Sequence, residues 1–167
     1  MRFPSNRPLM FVLMCVLQLA LSFVAEPGQA QTRKATANEI AAIRDCAARN
    51  KDNLDEGERK CLFNLVAERC VKKGPANNAT EADCYRIEES IWDGLLNENY
   101  KGLLDTLDED QTTKARAMQR AWVAYRDTTC RFYDDKIQGT MSITMHAACA
   151  TRETARRAML LGFFTRL

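Results

Sequence analysis

The chain has 167 residues and a mass of 19.0 kDa, the size of one domain with a short extension. With 46% hydrophobic and 28% charged residues it can bury a core, which excludes wholesale disorder. A net charge of +2, from 24 basic and 22 acidic side chains, is too small to make nucleic acid the expected partner.

The N-terminus reads as a targeting segment. Arg2 and Arg7 form a basic start, and Pro8 to Val24 is a run of 17 uncharged residues rich in Leu, Met, Val and Phe. Gly28 and Ala30 then supply the small pair of a cleavage site. Residues 1–30 are therefore expected to be a secretory signal peptide cut after Ala30. An uncleaved anchor is the first rival, but the apolar run falls short of the roughly 20 residues a span needs. A lipoprotein attached through Cys15 is the second. A lipid-attachment cysteine follows a small residue at the end of the apolar run, whereas Met14 is large and Cys15 lies inside the run. The expected location is periplasmic or secreted, in a bacterium, with no stable membrane insertion after cleavage.

Removing residues 1–30 takes away Arg2, Arg7 and Glu26 and leaves a net charge of +1. Six cysteines remain: Cys46, Cys61, Cys70, Cys84, Cys130 and Cys149. An even number in an exported chain reads as disulfides. Their spacings include no CxxC and the chain has a single histidine, His146. Zinc ribbons, thioredoxin-type redox pairs and c-type haem sites thus lack their signatures. Neither a metal nor a cofactor is expected.

After the signal only Pro75 survives of the four prolines. No stretch alternates apolar and polar residues over the length of a strand, so the expected class is all-α, a small disulfide-stapled bundle of about four to five helices. In chain order, a short helix is expected at about 37–50 and a second at about 55–72, joined near Asn53. Lys73 to Asn78, with Gly74 and Pro75, is the clearest breaker. Thr80 then reads as the cap of a third helix, with Asp83 as a weak capping-box partner. This helix runs to about Leu104 along a stripe of Cys84, Ile87, Ile91, Leu95 and Asn99. Asp105 to Asp110 is an acidic break. A fourth helix covers about 110–135, with Met118, Trp122, Tyr125, Thr129 and Phe132 stepping by 4, 3, 4 and 3 as a heptad-like seam. Gly139 ends it, and Thr140 or Ser142 starts a last helix to about Phe164. Residues 31–79 read as a helical extension on a three-helix core at 80–167.

This layout places cysteines in pairs across proposed turns: Cys46 with Cys61, Cys70 with Cys84, and Cys130 with Cys149. Six cysteines allow 15 pairings, so proximity across turns is the whole basis for this choice.

The chemistry on offer is sparse. Ser142 and His146 are four residues apart, but no GxSxG elbow or partner acid accompanies them. No P-loop, GxGxxG or HExxH occurs. Glu88 and Glu89 are adjacent, so they point in different directions and read as a solvated pair rather than glycosidase carboxylates. Asn78-Ala79-Thr80 is a formal glycosylation sequon, relevant only in a eukaryotic host. No catalytic residue is expected. Three stretches are denser than a solvated helix requires. Asp93, Asn97 and Tyr100 share one face. Gln119, Trp122, Arg126 and Cys130 share another. Cys149, Thr154 and Arg157 form the third. Interhelical packing is the plain explanation, with Asp93 expected near Arg126 or Arg157, since a partly buried carboxylate needs a donor.

Read in order, these stretches give W-D-x-x-L-N-x-x-Y (Trp92, Asp93, Leu96, Asn97, Tyr100), then Q-x-x-W-x-x-Y-R-D-x-x-C (Gln119, Trp122, Tyr125, Arg126, Asp127, Cys130), then C-x4-T-x2-R (Cys149, Thr154, Arg157). This combined pattern resembles the lysozyme inhibitor LprI-like N-terminal domain family, over about residues 70–161. The resemblance implies a small, exported, helical, cysteine-stapled bacterial protein that binds and inhibits lysozyme or another peptidoglycan hydrolase. The motif residues are expected to be mostly structural. The alternative is an envelope interaction or immunity protein with a different partner; neither reading is an enzyme.

A nearly neutral protein offers no global steering toward a basic lysozyme, so attraction must be local. Asp105, Asp108, Glu109 and Asp110 are the best acidic candidates for the contact, and a solvated loop is the plain alternative.

Overall fold

A computed structural model describes residues 33–167. The expected signal peptide, its cleavage site and Cys15 lie outside the described residues. Six helices and no strand occur among those residues: α1 (Ala37–Arg49), α2 (Leu54–Cys61), α3 (Ala67–Val71), α4 (Asn78–Leu104), α5 (Glu109–Lys136) and α6 (Met141–Phe164). The all-α class holds, with one helix more than expected. None of the helices is long and apolar enough to cross a membrane.

Local chemistry sets most of the boundaries. Thr36 caps α1 in a reciprocal box with Glu39, satisfying two backbone N–H groups that a helix start leaves free. Asn53 caps α2 by accepting from the Glu56 N–H at 3.0 Å. The start of α4 differs from expectation: Asn77 is the cap, accepting from Thr80 N–H at 2.9 Å, so the helix begins before Thr80. Asparagine matches the extended conformation and short acceptor that the cap needs. Asp108 caps α5 in a box with Gln111, so the acidic break ends there and Glu109 and Asp110 belong to the first turn of α5. Gly139, at φ 85°, supplies the left-handed residue between α5 and α6.

The segment expected as one helix over 55–72 is broken at residues 62–66. Phe63 sits at φ 66°, a region that a bulky residue rarely adopts. The cause lies 25 residues away: the Glu88 carboxylate on α4 accepts from the Phe63 N–H at 2.7 Å and from the Ala67 N–H at 2.9 Å.

Helices α4 and α6 run parallel and α5 returns between them in sequence. Thr144 donates to the Asn78 carbonyl at one end, Thr151 to the Tyr85 carbonyl further along, and Asn99 to the Ala158 carbonyl near the other. Helix α5 is antiparallel to α6, with Gln119 opposite Arg157 and Cys130 bonded to Cys149. The N-terminal helices close over the same core. Ile43, Cys46, Cys61, Leu62 and Val66 pack with Ile87, Ile91, Trp92, Leu96, Ala155, Ala158 and Leu161. A Cβ on Gly57 would come within 2.9 Å of Met159 Sδ, so α2 lies close to α6 here and a larger residue would push the methionine tip aside. Arg44 pairs with Glu98 at 2.5 Å and Arg156 with Glu58 at 2.6 Å across the same junction.

The three disulfides are Cys46–Cys61, Cys70–Cys84 and Cys130–Cys149, as the turn layout predicts. Loop closures of this size are worth about 3 kcal/mol each in the chain-entropy account. The last matters most locally, because only Ala115 and Cys130 of α5 are buried.

The heptad seam on α5 needs correction. Tyr125 and Phe132 are 53% and 62% exposed. The inward face runs through Ala115, Gln119, Trp122, Arg126, Cys130 and Tyr133, with Met118 beside it, in steps of 4, 3, 4, 4 and 3 that keep the period of a straight helix. A strict 3.5-residue repeat drifts about 20° per heptad from that period, and Tyr125 and Phe132 lie off the inward face while Met118, Trp122 and Thr129 stay partly buried.

Candidate functional site

Three regions on the α4–α5–α6 unit hold the candidate residues. The first is structural. Trp92 is buried, and its indole N–H donates to Glu88 Oε1 at 3.1 Å. With the two backbone donors of the 62–67 loop, Glu88 is a fully buried carboxylate with three donors. Burial pushes its pKa up, and the three donors pull it back. The expectation that Glu88 belongs to a solvated pair is overturned. The local sequence carries no sign of it, because its backbone partners come from a distant loop.

The second region is the inner face of α5. Two guanidinium groups lie over the Trp122 ring, Arg126 at 5.0 Å and Arg157 at 5.6 Å from the ring centroid. Arg157 is 6% exposed and donates through Nε to Gln119 Oε1 at 2.9 Å. Burial lowers its pKa, and Tyr100 opposes this. Arg157 Nη2 and the Thr154 hydroxyl are buried without a partner among the described residues. The structure thus brings Tyr100, Gln119, Trp122, Arg126 and Arg157 together.

It does not bring Asp93 to them. Asp93 is exposed and accepts from Asn97 Nδ2 at 3.0 Å. Arg126 instead holds Asp127 at 2.8 Å. Asp93 follows Trp92 directly, and one residue turns the side chain about 100° around the helix, from the core to solvent. The buried carboxylate lies four residues earlier, at Glu88. Tyr125 also stands apart, on the solvent side of α5.

The third region is a cleft of about 420 Å³ between α4 and α5, floored by α6. Arg86 and Glu89 form one wall, Arg126, Asp127 and Asp134 the other, and Ile143, His146, Ala147 and Ala150 the floor. The small alanines and the Cys130–Cys149 bridge leave the space open. His146 Nδ1 lies 2.6 Å from Asp134 Oδ2, while Ser142 donates to the Gly139 carbonyl at 3.1 Å. Serine and histidine therefore have separate partners, which is no hydrolytic arrangement. Burial pushes the pKa of Glu89 up, against the nearby charges of Arg126, His146 and Arg86. No local sequence signal marks this cleft, because its walls belong to helices joined only at their far ends.

The acidic candidates sit at those far ends. Asp105, Asp108, Glu109 and Asp110 are all exposed around the α4–α5 turn. Asp108 is partly occupied in capping α5, and Asp110 pairs with Lys114 at 2.5 Å. Asp105 is the C-cap of α4, where the helix dipole disfavours a negative charge. Among the described residues no cluster of His, Cys, Asp or Glu is arranged to hold a metal ion.

Comparison with curated proteins gives no match, and comparison with solved structures gives none. The family model described as "Lysozyme inhibitor LprI" matches residues 58–161. That span starts earlier than the motif-bearing stretch and takes in Cys61, the 62–67 loop and its anchor Glu88. With well over half of its length matched, the motif indoles and five of the six disulfide cysteines included, this chain belongs to the lysozyme inhibitor LprI family.

Proposed function

We propose that the protein, exported and cleaved after Ala30, binds a lysozyme-type peptidoglycan hydrolase in the bacterial periplasm or outside the cell and inhibits it without catalysing a reaction. Membership of the lysozyme inhibitor family across residues 58–161 carries this reading. The architecture supports it. Three disulfides and a shared core hold six helices rigid, and a preorganised surface loses little entropy on binding. The motif residues Trp92, Thr154 and Arg157 are buried, so their work is inside the fold and the contact falls to exposed groups.

The proposed contact includes Asp105, Asp108, Glu109 and Asp110. Host-type lysozymes are basic, and a local negative patch can attract them to a nearly neutral protein. Asp105 gains nothing from its helix end, which favours a role outside the fold.

The deciding experiment is a turbidity assay of a basic lysozyme on peptidoglycan, with purified oxidised protein starting at Gln31. Dose-dependent inhibition at micromolar concentration and low salt is expected. No inhibition of several lysozyme classes under those conditions refutes the reading.

A further inference from the structure

The cleft between α4 and α5 contains six ionisable side chains, and five of them have a partner. Arg86 holds Asp83 at 2.8 Å. Arg126 holds Asp127 at 2.8 Å, and His146 meets Asp134 at 2.6 Å. Glu89 is different: it is half-buried on the α4 wall, and no hydrogen bond to its carboxylate occurs among the described residues. The charges that face it come from all three helices. Arg86 and Asp93 lie on α4, Arg126 on α5 and His146 on α6. The cations among them are already engaged at short range by other carboxylates, so the group left over is an anion in partly dehydrated surroundings. Such a group costs free energy until a donor reaches it. The floor beside it is apolar: Ile143 is partly exposed there, with Ala147 and Ala150 behind it. A carboxylate with no hydrogen-bond donor of its own beside a short apolar floor suits a cation on an aliphatic stem, whose methylenes can lie on the floor while the head meets the acid. The volume of about 420 Å³ has room for such a side chain together with water. An anionic ligand is disfavoured, because it would have to strip Asp127 or Asp83 from its arginine.

We propose that this cleft receives a lysine or arginine side chain of the inhibited hydrolase, with the cationic head on Glu89 and the stem along Ile143, Ala147 and Ala150. This rests on the reading of the protein as a lysozyme inhibitor and adds a second, enclosed anchor to it. Glu89 and Asp105 are 16 residues apart on one helix axis, so the cleft and the acidic turn are separated by about 24 Å at 1.5 Å per residue. The two sites would do different work. Exposed charges steer encounter and set salt dependence, while an enclosed pair sets the dissociation rate.

Two measurements on the oxidised protein test this. In the first, N-acetyl-arginine methylamide and N-acetyl-lysine methylamide are titrated at millimolar concentration, with the uncharged N-acetyl-norleucine methylamide as control. The ring signals of His146, the sole histidine, report the cleft by NMR. The cationic probes should shift them and norleucine should not, and Glu89→Gln should cut the shift severalfold. In the second, dissociation of a basic lysozyme is timed: Glu89→Gln should speed it about tenfold, and Glu89→Lys, which supplies its own cation, should weaken binding further. Circular dichroism checks that both variants keep the fold. Equal shifts with the uncharged probe, or unchanged dissociation for Glu89→Gln from a wild type that does inhibit, overturns the cleft proposal and leaves the inhibitor reading standing. Selective cationic shifts in a protein that inhibits no lysozyme support the cleft's preference and overturn the choice of partner.

Discussion

Trp92 and Glu88 lie one turn apart on α4 and share a hydrogen bond of 3.1 Å in a region closed to solvent. The same carboxylate fixes Phe63 and Ala67, so one side chain ties the chain break at 62–66 to the central helix. Removing it leaves three donors without their acceptor, those of Ala67 and Trp92 buried and that of Phe63 partly so. At about 1–3 kcal/mol for each unsatisfied group, Glu88→Ala should destabilise the protein by about 3 kcal/mol or more. Glu88→Gln keeps one acceptor oxygen but turns an amide N–H toward a backbone donor, so it should cost less than the alanine variant. Trp92→Phe loses one donor and a little volume and should cost least. Urea denaturation gives the order. Equal midpoints for wild type and Glu88→Ala would show that the carboxylate anchors nothing.

Acid behaviour should expose a second carboxylate. Glu39 is held down to about 2, first by the hydrogen-bonded Arg33 guanidinium, against the opposing cost of burial, and further by hydrogen bonds from Thr36. The folded value lies below the ordinary one, so its stabilising effect is complete above about 4.5 and fades as pH falls toward 2. Glu88 has the opposite sign. Its value is raised in the folded state, so its contribution weakens as pH rises through the window above the ordinary carboxylate value. Thermal midpoints of wild type and Glu39→Gln should differ at pH 6 and converge near pH 2. A constant gap across that range would mean that the pairing with Arg33 does not persist in solution.

Gln119 and Arg157 offer a double-mutant cycle. Arg157 is a buried guanidinium with one hydrogen-bonded side-chain partner among the described residues, Gln119 at 2.9 Å, and the Trp122 ring centroid lies 5.6 Å away. Gln119→Leu leaves the charge with less compensation and should cost about 1–3 kcal/mol. Arg157→Met removes the charge itself and fills similar space, a change that is often near neutral. The double variant should therefore be more stable than the sum of the single effects implies. Asp93→Asn with Arg126→Met should be additive, because Asp93 faces Asn97 in solvent. Additivity in the first cycle and coupling in the second would reverse this assignment of partners.

Some of this structure is legible in the sequence. Cysteine pairs across proposed turns give all three bridges, because a short helical hairpin brings its own cysteines together. The face shared by Gln119, Trp122, Arg126 and Cys130 follows from spacing alone. The break at Phe63 does not, because its cause is an acceptor 25 residues along the chain. Glu88 itself is hidden by type: an adjacent pair of glutamates on a helix looks solvated, and only the neighbouring helices decide that Glu88 is shut in and Glu89 lines a cleft. Asp93 misleads for the same reason. It stands beside a core tryptophan in sequence, yet points away from the core. The cleft is a property of how α4 and α5 diverge over α6, and no single segment encodes it.

The acidic turn between α4 and α5 yields the most direct functional prediction. Asp105, Asp108, Glu109 and Asp110 are exposed, and none is needed by the apolar core. Their electrostatic reach is short at physiological salt, because the screening length is about 8 Å there and about 30 Å at 0.01 M. Replacing Asp105, Glu109 and Asp110 with Asn or Gln, and leaving the cap Asp108 in place, should preserve the helix start. Association with a basic lysozyme should slow at low salt and change little at high salt, with dissociation nearly unaffected. Adding Asp108→Asn should extend the effect at small cost, since asparagine is also a good cap. Stopped-flow association at two ionic strengths separates this from a loss of fold, which would weaken binding at both. If wild type inhibits and the neutralised variants associate at the wild-type rate in low salt, the inhibitor meets its target through another surface, with the Glu89 cleft as the next to test.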